Sequence, residues 1–350
     1  MSENLPEMSK NRWLPMIILI IFVLLAATAG LAWHNWPAIL DRLQHEKSTA
    51  YLNRGLVYTK LENYDQAVAE YSTAIQLDPQ NAAAYHNRGL AYANQQKYDL
   101  AAADYSKVIE LDPHRKNIYF QRGSAYSTMK EYELAIPDYF MAIQLNPKDA
   151  DSYHSLGDTY TRLEKYPQAI NNYSNALELD PGNFVIYLDR GYANDQLGHV
   201  ERAISDFTRY IRAKPEFLVG YHMRGYDYIV QGQNNEALAD FSKALELDPQ
   251  DDYAYYYRGI TFMHMKKYGL AIDDFSKDIE IDPQDNYAYY HRGEAYRLLN
   301  QYDQAVADFS AAIKLDSQYA EAYQGRALAE QALKQDAAAK ADFEKYDELK

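Results

Sequence analysis

The sequence predicts an all-α fold, an α-solenoid of nine helix-turn-helix repeats preceded by one transmembrane helix. Two features of the sequence support this prediction. Glycine, alanine, an aromatic residue and proline each recur every 34 residues between residues 48 and 350, and a fixed period of this length is typical of stacked helical hairpins. Residues 13–33 contain no charged side chain, and about 20 apolar residues in a helix span the hydrocarbon core of a bilayer.

The amino-terminal segment is interpreted as a membrane anchor. Residues 1–12 are predicted to be a cytoplasmic tail, residues 13–33 a transmembrane helix and residues 34–47 a linker. All three tryptophans of the protein, Trp13, Trp33 and Trp36, lie at the ends of the apolar stretch. Amphipathic rings are enriched at that depth, where the membrane meets water.

The basic residues around the anchor predict its orientation. Lys10 and Arg12 directly precede the apolar stretch, whereas Arg42 and Lys47 follow it at a distance. The positive-inside rule then favours a cytoplasmic amino terminus and an exoplasmic repeat domain. Two alternatives stay open: a repeat domain that faces the cytoplasm, and secretion after signal cleavage near residues 27–29.

Each repeat is predicted to be one helical hairpin with an apolar face that only a neighbour can bury. In the first repeat, Tyr51, Gly55 and Tyr58 have helical spacing, as do Tyr64 and the apolar residues that follow it. A proline such as Pro79 ends one hairpin and begins the next. Pro137, inside the second helix of repeat 3, should bend or interrupt that helix. The repeats start at residues 48, 82, 116, 150, 184, 218, 252, 286 and 320.

These positions resemble the signature of the tetratricopeptide repeat, namely Tyr51, Gly55, Tyr58, Ala67, Tyr71, Ala74 and Pro79. The resemblance covers residues 48–350 and implies a right-handed solenoid. It also implies that glycine and alanine lie where the two helices of a hairpin cross, since a larger side chain would separate the backbones. Gly55, Gly89 and Gly123 are therefore predicted to be structural.

An arginine precedes the glycine in most repeats, and an acidic residue follows 16 positions later, as in Arg224 and Asp240. In repeat 4 both change together, to Leu156 and Asn172. This paired loss predicts an arginine–carboxylate bridge between the two helices of each hairpin, and Arg224 and Asp240 are interpreted as structural residues.

Composition excludes several function classes. The net charge of −15 would repel a phosphate backbone, so we expect no nucleic-acid partner. Without cysteine there is no thiolate nucleophile or thiolate metal site. No motif of a phosphate-binding loop, a zinc protease or a serine hydrolase is present. His86, His154 and His222 recur at intervals of 68 residues, too far apart to share one metal. We expect no catalytic residue, no metal and no cofactor.

Binding is the more favoured function. The resemblance implies that the first helix of each repeat lines an inner surface that receives partner segments. The exposed positions of these helices are polar in the first half of the array and aromatic in the second. Candidate partner-binding residues are Asn53, Asn87, Gln121, Met223, Tyr226, Tyr253, Tyr256, Tyr257, Tyr287 and Tyr290. Tyrosine and methionine at such positions suit recognition of a peptide.

The sequence thus predicts a non-catalytic, single-pass membrane protein that acts as a scaffold or adaptor for protein or peptide partners. Short repeats that follow an amino-terminal anchor with no further domain resemble those of bacterial proteins. This resemblance implies an inner-membrane protein whose repeats lie in the periplasm. Alternatives are a self-assembling structural or envelope-assembly component, including a homo-oligomer, and a regulatory subunit of an enzyme complex.

Overall fold

The computed structural model describes residues 14–115 and 117–350; in residues 14–39, side chains are described only for Ile21, Val23 and Ala38. Within this part, the chain forms eighteen α-helices and no strand. In repeat order, each first helix pairs with a second helix of 14 residues. The helices are α1 (Leu14–Lys60), α2 (Tyr64–Leu77), α3 (Ala82–Asn94), α4 (Tyr98–Leu111), α5 (Ile118–Thr128), α6 (Tyr132–Leu145), α7 (Ala150–Arg162), α8 (Tyr166–Leu179), α9 (Val185–Gln196), α10 (Val200–Ala213), α11 (Leu218–Val230), α12 (Asn234–Leu247), α13 (Asp252–His264), α14 (Tyr268–Ile281), α15 (Asn286–Leu298), α16 (Tyr302–Leu315), α17 (Ala320–Ala332) and α18 (Asp336–Leu349).

The helices group into two compact units, residues 1–147 and 148–350. The first contains repeats 1–3 and the second repeats 4–9. Within each unit, every helix packs against the next along the chain, and first helices of successive repeats also touch. The chain is therefore a stack of hairpins in each unit, as the 34-residue period predicted.

The amino-terminal part is only partly described. The predicted tail, residues 1–12, lies outside the described residues, as do residue 13 and most side chains of the predicted transmembrane segment 13–33. The backbone from Leu14 onward is helical and continues through the predicted linker into repeat 1 as α1. Among the described residues, no helix meets the length and hydropathy that a membrane span requires.

Aromatic rings form the centre of each hairpin. The same position of the second helix carries a ring that is at most 2% exposed in eight repeats: Tyr71, Tyr105, Tyr139, Tyr173, Phe207, Phe241, Phe275 and Phe309. The glycine of the first helix faces this ring. A Cβ added at Gly89 would lie 2.6 Å from Tyr105 Cε1, closer than two carbons can approach. Gly55 faces Tyr71 in the same way, and a Cβ at Gly123 would meet Asp138 Cβ at 3.2 Å.

In every repeat except repeat 4, the arginine of the first helix is hydrogen-bonded to the acid of the second helix. In seven repeats Nε and Nη2 donate to the two carboxylate oxygens at 2.6–2.9 Å, and the aspartate is nearly buried. Arg54 differs, since its side chain is 58% exposed and makes one contact to Glu70. The seven pairs are Arg88–Asp104, Arg122–Asp138, Arg190–Asp206, Arg224–Asp240, Arg258–Asp274, Arg292–Asp308 and Arg326–Asp342.

The same arginines also join neighbouring repeats. Nη1 of each donates to a hydroxyl on the second helix of the preceding repeat, at 2.9–3.4 Å. This hydroxyl belongs to Ser72, Ser106, Ser174, Thr208, Ser242, Ser276 and Ser310. Each guanidinium therefore uses three of its donors and connects three helices.

Pro137 does not interrupt its helix. The second helix of repeat 3, α6, spans the same 14 residues as its counterparts, with Pro137 inside it. The proline lacks only the single N–H that would reach the carbonyl of Glu133 in the first turn, and burial of the apolar face of α6 holds the rest of the helix together. The predicted interruption was wrong.

Candidate functional site

The first helices of repeats 6–8 carry a cluster of tyrosines, which we call the tyrosine surface (Tyr226, Tyr253, Tyr257, Tyr287 and Tyr290). The ring centroids of Tyr253 and Tyr257 are 4.4 Å apart, and those of Tyr226 and Tyr257 are 5.6 Å apart. Tyr226, Tyr253 and Tyr287 are 39%, 37% and 55% exposed. The surface therefore presents three accessible rings on a base of partly buried ones.

The half-buried tyrosines rest on the hairpin cores. Tyr257 stacks on Phe241 with centroids 5.9 Å apart, and Tyr256 lies 6.0 Å from Phe275. Tyr290 lies 5.8 Å from Phe309. Burial raises the pKa of Tyr290 to about 12, so its hydroxyl stays neutral at physiological pH. Tyr257 thus packs between neighbouring hairpins and Tyr290 packs within its own hairpin, while both also belong to the tyrosine surface.

Tyr319 joins the tyrosine surface, although the sequence did not single it out. Its centroid lies 5.0 Å from that of Tyr290 and 5.4 Å from that of Tyr287. Tyr319 precedes α17 as its N-cap residue, so it is in a turn. Helical spacing could not indicate it, because that spacing selects only positions within the first helices.

The polar candidates of repeats 1–3 are less available than their sequence positions suggest. Asn87 donates to the carbonyl of Ala83 in its own helix at 2.8 Å. Gln121 Oε1 lies 2.8 Å from His86 Nε2. Of the three predicted residues, only Asn53 is exposed. This region of the first helices therefore offers few uncommitted polar groups to a partner.

A cavity of about 540 Å³ opens among the first helices α7, α9 and α11. Asp158, Asp189, Tyr192 and Met223 line it, together with Arg162. Met223 thus belongs to this cavity as well as flanking the tyrosine surface in the chain. With Glu164, three acidic side chains line the cavity against one basic side chain, so the lining is net acidic.

Hydrogen bonds fix the polar wall of the cavity. Tyr173 donates its hydroxyl proton to Asp158 Oδ1 at 2.8 Å, and the same hydroxyl lies 2.9 Å from Thr161 Oγ1. His154 Nε2 lies 2.8 Å from Asp189 Oδ2 and 3.5 Å from Asp158 Oδ1. Burial raises the pKa of Asp158. For His154, burial opposes the charge, but Asp189 and Asp158 outweigh it and raise the pKa.

The three repeated histidines have different surroundings. His86 contacts Gln121, His154 contacts Asp189, and His222 contacts Asp251 at 2.5 Å. The partners of His86 and His154 both lie 35 residues further along the chain, one residue after the position that corresponds to the histidine in the next repeat, where Phe120 and Leu188 stand. That offset was visible in the sequence and could have identified Asp189.

The chain matches tetratricopeptide sequence families along most of the array. A family described as TPR repeat matches residues 55–96, 157–198 and 225–266. Families described as tetratricopeptide repeat match residues 82–115, 117–149, 139–171, 185–217 and 287–319. Together these stretches cover about two thirds of the chain. No curated protein sequence matches.

Solved structures share the fold. A tetratricopeptide repeat protein from Parabacteroides merdae is 20% identical, with 72% of this chain and 98% of that one covered at a TM-score of 0.51. PilF of Pseudomonas aeruginosa is 19% identical over 62% and 99% of the two chains, also at 0.51. YrrB, described as having an unusual peptide-binding site, is 24% identical over 53% and 96%, at 0.49. The sequence matches, which cover about two thirds of the chain, show that the chain belongs to the tetratricopeptide repeat family.

Proposed function

We propose that this protein is a non-catalytic scaffold that binds segments of partner proteins on its tyrosine surface. Tetratricopeptide repeat proteins typically mediate protein–protein interactions, and the family fold is an interaction fold. The observation that carries the proposal is the exposure of Tyr226 and Tyr253, which both contact Tyr257, and of Tyr287 on the next first helix, which contacts Tyr319. Tyrosine is enriched at the energetic centres of interfaces, because its rigid ring buries a large area with little loss of entropy.

The charge near the tyrosine surface indicates the kind of segment that it binds. Asp285 lies close enough to Tyr256, and Glu321 close enough to Tyr290, for their charges to act on the phenols, whereas Glu294 is paired with Arg297. A lysine or arginine of the partner would be attracted by these carboxylates and by the ring faces. We therefore propose an extended or helical segment with at least one basic side chain.

Replacing Tyr226, Tyr253 and Tyr287 together by alanine is expected to weaken peptide binding at least tenfold. The probe is a peptide selected from a random library on the immobilised full-length protein, and its affinity is measured by fluorescence anisotropy. The three rings are exposed, so helicity and melting temperature should change little. Tyr256 and Tyr257 are poorer targets, because their rings also pack on Phe275 and Phe241.

The matched control replaces Leu134 and Phe140 by alanine. Both side chains are 51% exposed and belong to α6, the second helix of repeat 3, which contributes no residue to the tyrosine surface. Their loss removes exposed apolar area without touching the tyrosine surface. Equal affinity of the triple tyrosine variant and the parent protein would refute the proposed surface.

We also propose that residues 13–33 anchor the scaffold in a bacterial inner membrane, with the repeats in the periplasm. The absence of charge in this stretch and the position of Lys10 and Arg12 before it support the proposal. Protease added to intact cells should leave the repeats intact, and protease added after osmotic opening of the outer membrane should degrade them. Protection until detergent dissolves the inner membrane would reverse the orientation, and release by alkaline carbonate would exclude the anchor.

A further inference from the structure

Two acids of the cavity wall, Asp158 and Asp189, both lie next to His154, which brings together three side chains of types that commonly bind metals. His154 and Asp158 lie one turn apart on α7, and Asp189 reaches them from the adjacent first helix α9. One donor atom from each lies within 4.8 Å of the others, and no other such group exists among the described residues. We propose that His154, Asp158 and Asp189 bind a divalent transition-metal cation.

The donor spacing fits a metal coordination shell. Ligand atoms about 2.0–2.2 Å from one metal ion are separated from each other by roughly 2.8–3.6 Å in tetrahedral or octahedral geometry. His154 Nε2 already lies 2.8 Å from Asp189 Oδ2 and 3.5 Å from Asp158 Oδ1. A cation could therefore replace the hydrogen bond between His154 and Asp189 with only small side-chain rotations.

A second layer of hydrogen bonds holds one ligand in place. Tyr173 is 1% exposed, and its hydroxyl donates to Asp158 Oδ1 at 2.8 Å. Such outer partners orient metal ligands and typically change the affinity for the metal by about 10–100-fold. In repeats 5–8 the ring at this position is phenylalanine, as in Phe207 and Phe241, which has no hydroxyl to donate.

The other repeated histidines lack the second carboxylate. Where His154 has Asp158 and Asp189 beside it, the corresponding residues near His222 are Tyr226 and Tyr257. His222 contacts a single acid, Asp251. Around His86 the neighbours are Gln121 and Arg115, and the cation of Arg115 would repel a metal. Repeat 4 is therefore the place in the described array where a histidine meets two acids.

The donor set indicates the class of metal. One imidazole nitrogen with two carboxylates suits Zn²⁺, Mn²⁺, Fe²⁺, Co²⁺ or Ni²⁺, whereas Mg²⁺ and Ca²⁺ prefer oxygen ligands alone. The cavity of about 540 Å³ beside the donors leaves space for water or a partner side chain at the remaining positions. This inference does not depend on peptide binding at the tyrosine surface.

Zn²⁺ is the probe for the test. Full-length protein without a polyhistidine tag is titrated with zinc chloride by isothermal calorimetry, with one high-affinity ion expected per chain. His154→Gln and Asp189→Asn should each weaken this binding at least tenfold, and Tyr173→Phe should weaken it about tenfold. Ca²⁺ should compete poorly. The matched control is His222→Ala, which should leave the affinity unchanged.

Two results would overturn the proposal. The first is the absence of saturable Zn²⁺ binding by the parent protein, and the second is equal affinity in His154→Gln and the parent. Circular dichroism of each variant separates loss of a ligand from loss of fold, because His154→Gln keeps a side chain that can hydrogen bond to Asp189. A variant that stays helical and no longer binds Zn²⁺ supports the site.

Discussion

Arg224→Leu is expected to lower the free energy of unfolding by about 3–5 kcal/mol, because it leaves a buried carboxylate without its counterion. Asp240 is 4% exposed and accepts two hydrogen bonds from Arg224, at 2.7 and 2.8 Å. The substitution also removes the hydrogen bond from Arg224 to Thr208 at 2.9 Å. The measurement is urea unfolding of the full-length protein at pH 7, followed by circular dichroism.

The double variant Arg224→Leu with Asp240→Asn should be more stable than Arg224→Leu alone. Repeat 4 has this leucine–asparagine combination naturally, and there Asn172 donates to the carbonyl of Gln168 at 2.8 Å. The asparagine side chain can therefore donate a hydrogen bond within its own helix, whereas a carboxylate has no donor and needs a partner elsewhere. Arg54→Leu is the control, and it should cost far less because the Arg54 side chain is 58% exposed. Identical unfolding curves for the single and double variants would contradict the bridge.

Asp278→Ala is expected to stabilise the protein. Asp278 is 1% exposed, and neither carboxylate oxygen has a hydrogen-bond partner. Burial, followed by the charges of Asp285, Asp252 and Asp282, raises its pKa to about 8. Removing an unsatisfied buried polar group gains about 1–3 kcal/mol even when the group is neutral. Alanine fits here, since the same position in five other repeats holds Ala74, Ala142, Ala176, Ala244 and Ala312.

The advantage of Asp278→Ala should increase with pH. In the folded state Asp278 keeps its proton up to about pH 8, whereas in the unfolded chain it loses the proton near pH 4. The folded protein thus binds more protons between these values, and its stability falls as pH rises. The variant lacks this loss, so its advantage should grow by up to about 1.4 kcal/mol per pH unit across that range.

Urea midpoints at pH 5 and pH 8 test this dependence. The matched control is Asp273→Ala in the same helix, whose side chain is exposed and should have little effect at either pH. A gain for Asp278→Ala that is the same at both pH values would mean that the carboxyl group is not held neutral in the folded protein.

The fold followed from the sequence because every hairpin solves the same packing problem. Gly89 faces Tyr105 in one hairpin and Gly191 faces Phe207 in another. Because each buried ring leaves no room for a Cβ on the first helix, the sequence repeats glycine at that position. The arginine and its acid were visible for the same reason, since they are lost together in repeat 4. Helix continuity at Pro137 was not predictable from local propensity, because tertiary burial of α6 decided it.

The candidate sites were less predictable, because each depends on a neighbour that breaks the repeat. Tyr319 is in a turn, where no helical period applies. Asp189 is one of several residue types at its position, and only its distance from His154 gives it a role. Asn87 has the residue type of a binding position but donates to its own helix. The candidate sites are formed by residues that differ from the consensus of the repeats, so the consensus does not predict them.

The arginine that joins three helices has a consequence for how such a gene can change. Arg292 donates to Asp308 of its own repeat and to the hydroxyl of Ser276 in the preceding repeat. If recombination removed residues 252–285 in frame, Arg292 would follow Ser242, which offers the same hydroxyl. Repeats 5–8 each have both the arginine and the hydroxyl, so they are interchangeable at this polar contact as well as at the apolar one, whereas repeat 3 has Phe140 in place of the hydroxyl and repeat 4 has Leu156 in place of the arginine. Within repeats 5–8, whole repeats can therefore be lost or gained without a compensating mutation at these contacts, so selection can act on the length of the array alone.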